Sequence, residues 1–463
     1  MTRFPGHPAG RRRGAAIATI ASIVVAAVLA AGPATARTLE EAVRIIVNTN
    51  PEIGAVRKNR RAIGQELRAA RGLYFPQVDV RGAVGPEASL NGATRGRGKS
   101  GYDGMPRQEA GVVVQQRLFD GFFTDSEVAR QKGRVNSARY RVSDTAQAVA
   151  LRGIEAYLDV LRTARVVALS KRNLKAHEAI LRRVGARARG GRGPRSDVEQ
   201  ARARMYAATG NLASAQGRYE DAVARYRAVV GERPEKLEAV TAPELELPPN
   251  VDAAASTALK TAPAILAAAA DITTAMGQIG VARSEFFPKV SIEASANRLR
   301  NVDGVRGSTF DAQALVVGRW SLYRGGADAA RLREAKARLS EARDTLDRSR
   351  REVARQVRVS WAALNAARGR RVALQNQVAA TAKVRDAYSK QFDLGQRTLL
   401  DLLDIQNELF TTRSQLVTED STVKFGVYRT LATMGVLLKT MGVPTPAEAT
   451  RKPNSFRRLE RRW

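Results

Sequence analysis

The chain has 463 residues, of which 77 are Lys or Arg, 45 are Asp or Glu, two are His and none is Cys. The missing cysteines exclude disulfides, thiol nucleophiles and thiolate metal sites. A zinc site or a Ser-His relay would have to use His177, because His7 lies in a segment that we expect to be removed. We therefore predict that the protein is not an enzyme and needs no metal and no cofactor.

The net charge of +32 raises nucleic acid or an anionic surface as a partner. The arginines are nevertheless spread along helical patterns, as in Arg331 to Arg358, where they alternate with Ala, Glu and Gln. This distribution is typical of solvated helix faces and favours a protein that binds no nucleic acid. A basic coiled-coil protein, exported or cytoplasmic and either structural or nucleic-acid-binding, is the alternative interpretation.

The N-terminus has the three parts of a secretory signal peptide. Arg11 to Arg13 precede the apolar run GAAIATIASIVVAAVLAAG, and the small residues Ala34-Thr35-Ala36 follow it. We expect cleavage before Arg37; a retained anchor is the alternative, because the run approaches the roughly 20 residues that span a bilayer. No Cys is present to carry an N-terminal lipid. We expect no other transmembrane helix, so that any membrane crossing uses strands.

The sequence repeats itself on the scale of a domain. Pro51 in NPEIGAV aligns with Pro263 in APAILAA, an offset of 212 (263 − 51). Further along, RLFDG from Arg117 matches SLYRG from Ser321, an offset of 204 (321 − 117). Two halves of about two hundred residues therefore share one plan, which is the duplication of a domain-sized unit.

Each half contains the pattern of a β-hairpin. QVDVRGAV after Pro76 and KVSIEASA after Pro288 alternate apolar and polar residues, and a Gly-rich segment and a return strand follow each. Four strands cannot close a membrane barrel, whose smallest form has about eight strands, and an open edge is not tolerated in lipid. Either several chains share one barrel, with the aromatic residues at the strand ends forming its girdle, or the sheet is soluble and packs on the helices.

The remaining sequence predicts very long helices. Between Gly326 and Phe392 there is no proline and one glycine, and small or apolar residues recur at coiled-coil spacing. About 65 residues at roughly 1.5 Å each give a rod of about 100 Å. The first half matches from Thr124 to Arg189, and a second helix follows each rod. We predict a mainly α fold with a small β part, built from two structural repeats with long antiparallel helical hairpins.

These patterns divide the chain into five parts. They are a signal peptide (1–36), repeat 1 (37–230), a connector (231–252), repeat 2 (253–440) and a basic C-terminal tail (441–463). The two hairpin tips are expected near Gly191 and Gly395, where short Gly-containing linkers interrupt the helical pattern.

The second tip carries an unusual set of charges. In FDLGQRTLLDLLDIQNEL, from Phe392 to Leu409, Asp401 and Asp404 lie three residues apart among leucines, and Arg397 precedes them. Residues three apart share one helix face. A solvated face, a catalytic carboxylate pair and a charged ring inside an assembly are the three possible interpretations.

Several motifs occur in order along nearly the whole mature chain: the signal peptide, the duplicated halves, FP.V before a strand, LFDG and LYRGG before a long helix, and SDVEQA and LLDLLDIQ after a tip. Together they resemble the TolC-type outer-membrane factor family. The resemblance implies a homotrimer with a twelve-stranded barrel in the outer membrane and a helical tunnel extending into the periplasm. It implies a periplasmic adaptor (membrane fusion) protein and an inner-membrane transporter of ABC or RND type as partners, in type I secretion, drug efflux or both. The missing lipidation Cys favours the non-lipidated branch.

The resemblance also implies roles for the residues at the second tip. Asp401 and Asp404 would form two carboxylate rings that constrict the pore and select cations, and Arg397 would tie the second hairpin to the first through Asp197. Phe392 replaces a tyrosine of the family latch, so that this chain lacks one hydrogen bond. Close carboxylates are expected to raise some of their pKa values.

Overall fold

The computed structural model describes residues 37–95 and 103–452. The predicted signal peptide and residues 453–463 of the predicted tail lie outside the described residues. The first half contains α1 (Leu39–Thr49), α2 (Pro51–Gly72), β1 (Gln77–Ser89), α3 (Gly92–Arg95), β2 (Asp103–Phe119), α4 (Phe123–Arg189) and α5 (Arg195–Val230). After the connector come α6 (Val251–Thr261), α7 (Pro263–Ser284), β3 (Lys289–Arg300), β4 (Ser308–Arg319), α8 (Ala327–Asp393), α9 (Leu399–Thr433), α10 (Leu437–Thr440) and α11 (Ala447–Thr450).

The element boundaries confirm the two structural repeats. Strands β1 and β3 begin 212 residues apart (289 − 77), and helices α4 and α8 begin 204 residues apart (327 − 123). Both long helices have 67 residues, which corresponds to about 100 Å. The predicted mainly α fold with long helical hairpins and a small sheet is confirmed.

The four strands form one antiparallel sheet in the order β1-β2-β3-β4. Many side chains of β1 and β4 are strongly exposed: Val80 and Val84 are 80% exposed and Val316 is 71% exposed. No helix of the described chain covers these valines, so the interpretation of a soluble sheet packed on the helices is wrong. Within the described chain, β1 and β4 each pair on one side only, which leaves two open edges.

One helical segment contradicts the expectation that the chain has no further helix apolar enough to cross a membrane. Val251–Ser284, which comprises α6 and α7, is 34 residues long and contains an 18-residue window with a mean hydropathy of 1.4, which is sufficient for a membrane span by length and composition. The helix is interrupted at Ala262, which precedes Pro263. The segment packs against α8 through Ala254, Ala258 and Ile265. By length and composition, therefore, one further candidate span exists in the described chain, and the sequence reading missed it.

The largest core lies near the middle of the rods. There α1, the end of α5, the end of α9 and the middle of α4 and α8 meet, and their buried residues include Ile46, Ile154, Tyr157, Leu364 and Tyr428. The Tyr157 hydroxyl donates to the backbone oxygens of Arg37 at 2.7 Å and Glu238 at 3.0 Å. The core thereby fixes both the first described residue and the connector to the long helices.

Between this core and the sheet, the two repeats contact each other where α4 and α7 pack in antiparallel orientation. Glycines allow the backbones to approach closely: a Cβ on Gly277 would lie 2.6 Å from the Cα of Arg130, and one on Gly133 would lie 2.7 Å from the amide nitrogen of Thr274. A further close pair is Gly280 with Ser126. The contact leaves no room for larger side chains at these positions.

We predict that Gly277→Ala destabilises the protein, because the added methyl meets backbone atoms that cannot move independently of α4. Overpacking of this kind costs about 1–3 kcal/mol, and the midpoint of thermal unfolding followed by circular dichroism should fall. The matched control is Gly217→Ala in α5, where a Cβ would meet nothing within 4 Å. That change should leave the midpoint unchanged or raise it, because alanine favours helices by up to about 1 kcal/mol. Equal midpoints for the two variants would contradict the close contact.

Candidate functional site at the hairpin tips

Both hairpins turn at a glycine in the left-handed backbone region. Gly191 has φ +69° and Gly395 has φ +76°, a conformation in which a side chain would be strained. The following amides close each turn: Arg192 N donates to Arg187 O at 2.9 Å, and Gln396 N donates to Gln391 O at 2.8 Å. Such bonds satisfy the last carbonyls of a helix. The structure thus places the two predicted tip glycines at equivalent turns.

The two tips pack against each other through a small apolar cluster. Its buried members are Ile180, Val184, Ala201, Phe392, Leu399, Leu402 and Leu403. The first three come from α4 and α5, and the others come from the end of α8 and from α9. The leucines that flank the aspartates of the second tip therefore form the contact between hairpins, while the aspartates lie on the more exposed side.

Phe392 lies at the centre of this contact and is 6% exposed. Arg187 of the first hairpin covers it: the guanidinium carbon is 4.9 Å from the ring centroid, and Nη1 donates to the Phe392 backbone oxygen at 2.7 Å. The sequence reading treated Phe392 as a lost hydrogen bond. In the structure, Arg187 links Phe392 to the first hairpin through a hydrogen bond to its backbone oxygen and a cation–π contact with its ring.

The predicted tie between Arg397 and Asp197 is not formed within the described chain. Arg397 instead stacks on Tyr388, 4.3 Å from the ring centroid, donates to Gln391 Oε1 at 3.2 Å and lies 3.8 Å from the Asp401 carboxylate. All three partners belong to its own hairpin, and their proximity in sequence explains why they compete successfully for the guanidinium.

Asp401 has a structural partner at the start of α9. The Asp401 amide donates to Thr398 Oγ1 at 3.2 Å, and the Thr398 amide donates to the Asp401 carboxylate at 3.3 Å, which completes a capping box. Thr398 Oγ1 also donates to this carboxylate at 2.8 Å. The hydrogen bonds from Thr398, with the nearby Arg397, lower the pKa of Asp401. Within one chain the shift is thus opposite to the rise expected from like-charge repulsion, and the carboxylate is ionised at neutral pH.

Asp404 forms an ion pair across the hairpins. Its Oδ1 lies 3.0 Å from Nη2 of Arg204 on α5. A second cross-hairpin pair joins Arg183 of α4 to Asp393 at 3.3 Å. These side chains are 40% to 57% exposed, so screening by solvent limits each pair to about 1 kcal/mol or less.

The sequence analysis did not predict the three arginines that connect the hairpins, which are Arg183, Arg187 and Arg204. Arg183 and Arg187 are four residues apart and share one face of α4. That spacing was the available signal, but the same spacing is frequent in a chain with 77 Lys and Arg. Nothing local distinguished these arginines from those on solvated faces.

A cleft of about 520 Å³ lies between the two tips. Asp197 and Arg397 both line it without touching, as do Gln200, Phe392 and Arg192. Arg192 and Arg195 are exposed, and within the described residues neither makes an ion pair. In the described part of the chain, no group of three or more His, Cys, Asp or Glu residues is arranged to hold a metal.

Further along the rods the two hairpins share a buried polar layer. Gln406 of α9 donates to Asn173 of α4 at 3.1 Å, and His177, one turn further along α4, is buried. Burial, together with the charge of Arg204, lowers the pKa of His177. His177 is thus a neutral packing residue in the seam, and the structure places no catalytic partner beside it in the described chain.

Comparisons with known proteins agree with this architecture. The family described as outer membrane efflux protein matches residues 43–232 and 254–424. Outer membrane efflux protein BepC of Brucella suis biovar 1 (strain 1330) is 29% identical over 420 residues, which cover 89% of this chain and 90% of that protein. Outer membrane protein TolC of Escherichia coli (strain K12) is 22% identical over 383 residues, covering 80% of this chain and 76% of that protein.

The fold is also that of solved outer-membrane channels, such as CmeC of Campylobacter jejuni, which superposes with a TM-score of 0.75 at 13% identity, covering 89% of this chain and 87% of that one. A crystal structure of a membrane protein from Pseudomonas aeruginosa superposes with a TM-score of 0.76 at 16% identity, covering 86% of this chain and 90% of that one. The family match spans both repeats, including the long helices and most of both hairpins. The chain belongs to the outer membrane efflux protein family.

Proposed function

We propose that three copies of the chain form an outer-membrane channel that continues as a helical tunnel through the periplasm. The channel passes proteins or small toxic compounds, in type I secretion, drug efflux or both, from an inner-membrane ABC or RND transporter and a periplasmic adaptor. The observation that carries the proposal is the exposed four-stranded sheet with two open edges at the end of two rods of 67 residues each. Co-purification of the adaptor and transporter tests the partners.

The sheet supports an assembly for a physical reason. Exposed backbone edges invite further strands, and membrane barrels need about eight strands or more. Aromatic side chains at the strand–helix junctions support a membrane position for the sheet, because Phe75, Phe122, Trp320 and Tyr323 are exposed there and such residues favour the interface. With four strands from each chain, the three copies that the resemblance implies supply twelve.

Cysteine cross-linking tests this assembly without background, since the natural chain has no Cys. Val80→Cys in β1 is combined with single cysteines along β4, residues 308–319. We predict that at least one pair forms a cross-linked trimer on a non-reducing gel, because β1 of one copy lies beside β4 of the next.

The matched control is Val80→Cys with Val112→Cys, which are neighbours across β1 and β2 within one chain. That pair should give a monomer. Absence of oligomeric cross-links along the whole of β4, in protein recovered from outer membranes, would contradict a shared barrel.

The proposal places the gate at the periplasmic tips, with the second hairpin as the moving part. Three contacts support it: Arg187 on Phe392, Arg204 on Asp404 and Arg183 on Asp393. The first is half-buried and charge-assisted, and such bonds contribute about 1.5–3 kcal/mol. The other two are weaker because they are exposed. Adaptor contacts of a few kcal/mol suffice to separate contacts of this strength.

We predict that Arg187→Ala raises the open probability of the reconstituted channel in planar bilayers. Loss of a bond of about 1.5–3 kcal/mol shifts a two-state gate by about tenfold or more toward the open state. Arg192→Ala is the control, because Arg192 lines the same cleft but is exposed. A closed-state conductance that is identical in the Arg187 variant and the natural protein would exclude this contact from the gate.

The aspartates of the second tip are proposed to face the pore and to select cations. Replacing both, Asp401→Ala with Asp404→Ala, should weaken cation selectivity, measured as the reversal potential in a salt gradient. Arg204→Gln should have the opposite effect, because it removes the cation that lies 3.0 Å from Asp404. Unchanged reversal potentials in both variants would place these carboxylates away from the pore.

A further inference from the structure

The two faces of the four-stranded sheet differ in charge. Successive side chains of a strand point to opposite faces, and the strand register pairs even-numbered residues with even-numbered residues throughout. The face that carries the even-numbered residues, among them Val80 and Val316, is called the apolar face here, and the other is called the polar face. Within the described strands, Arg298 and Arg300 of β3 are the only charged residues on the apolar face.

The carboxylates of the strands lie on the polar face and have partners there. Arg107 Nη1 donates to Glu87 at 2.6 Å, and Arg107 Nε donates to Glu109 at 2.5 Å. The acids that share this face are Asp79, Glu87, Glu109, Glu293 and Asp311. The sheet therefore separates them from Arg298 and Arg300, and within the described residues neither of these two arginines makes an ion pair.

The two arginines lie toward the end of the sheet that is distant from the helices. Strand β3 begins at Lys289, directly after α7, and Arg298 follows nine residues later (298 − 289). At about 3.4 Å per residue and a tilt of about 40°, Arg298 lies about 23 Å and Arg300 about 29 Å from the level of Lys289. The apolar band of a membrane barrel is about 25 Å tall. The two arginines therefore lie on either side of its far edge.

An aromatic side chain marks the same level. Phe310 of β4 is the register partner of Arg298 and is 71% exposed. Membrane barrels carry aromatic residues at both edges of the apolar band, and Phe287 and Trp320 are exposed at the near edge. An arginine at the far edge extends its guanidinium into the headgroup layer while its aliphatic part remains in the apolar layer.

We infer that Arg298 and Arg300 bind the phosphate groups of a phosphorylated glycolipid of the outer leaflet, the lipopolysaccharide class of lipid. The inference rests on the proposed outer-membrane barrel, which directs the apolar face toward lipid and the far end of the sheet toward the outer leaflet. Guanidinium groups present forked donors that match phosphate oxygens. Side chains two residues apart on one strand are separated by about 7 Å, so that both arginines reach the phosphorylated part of one lipid.

The test uses the full-length oligomer, purified in a neutral detergent and freed of bound lipid. Bisphosphorylated lipid A, the phosphate-bearing part of lipopolysaccharide, is titrated into it, and thermal unfolding is followed by circular dichroism. We expect a saturable rise in the midpoint, because a ligand of the folded state stabilises it. Arg298→Gln combined with Arg300→Gln should weaken the apparent affinity by about tenfold or more, because charge-assisted hydrogen bonds are lost.

Two further variants separate the role of these arginines from that of charge in general. Arg298→Lys with Arg300→Lys keeps the positive charge without the forked donors and should regain part of the affinity that the glutamine variant loses. The matched control is Arg81→Gln with Arg319→Gln, which removes the same charge from the polar face and should leave the lipid response intact. An equal loss of affinity in this control and in the glutamine variant would contradict binding at the apolar face.

Two other lipids identify the group that is recognised. Lipid A without its phosphates should give no rise that depends on Arg298 and Arg300, and phosphatidylglycerol should bind more weakly than bisphosphorylated lipid A. An equal response to phosphatidylglycerol or to dephosphorylated lipid A overturns the inference. An affinity for bisphosphorylated lipid A that is the same in the glutamine variant and the natural protein overturns it as well.

Failure of this inference is distinguishable from failure of the proposed function. If cysteine pairs between β1 and β4 give a trimer and the glutamine variant still binds lipid A like the natural protein, the inference alone fails. If no pair gives a trimer, the shared barrel fails and the lipid site on its outer face fails with it.

Discussion

The structure depends on close packing between helices that have little apolar surface. A rod of 67 residues is far longer than an ordinary globular helix of about 12 residues, and a narrow seam of small residues must hold it in place. Glycines at positions 133, 277 and 280 allow α4 and α7 to approach until backbones touch. This contact joins the two repeats, because it packs the long helix α4 of the first half against α7 of the second half.

The sheet has no covering layer, because the helices pack their narrow apolar seams against each other. The strands extend beyond the helices, with exposed valines and two open edges. In water such a surface would promote aggregation. This sheet lies at one end of the rods, and the two hairpin tips lie at the other end.

The contacts of the arginines were the feature that the sequence predicted least well. Spread along helical patterns, they indicated a solvated face, and many of them do lie on one. Three of them instead contact the second hairpin from the first, and Arg57 and Arg61 of α2 donate to Glu448 of α11. These partners are up to several hundred residues apart in sequence, as Arg57 and Glu448 illustrate. Periodicity assigns a residue to a face of its own helix but does not identify the helix opposite.

The sequence by itself determined the duplication, the two hairpins of strands, the lengths of the rods, the positions of Gly191 and Gly395 at their tips, and the family. These features follow from local periodicity, breakers and internal repetition, which leave direct marks in the chain. Only the tertiary structure decided that Arg397 turns to Asp401 and Tyr388, that Arg187 covers Phe392 and that Arg204 pairs with Asp404. The physical reason is that a long flexible guanidinium reaches several partners, and the relative rotation and stagger of packed rods determines which partner is nearest.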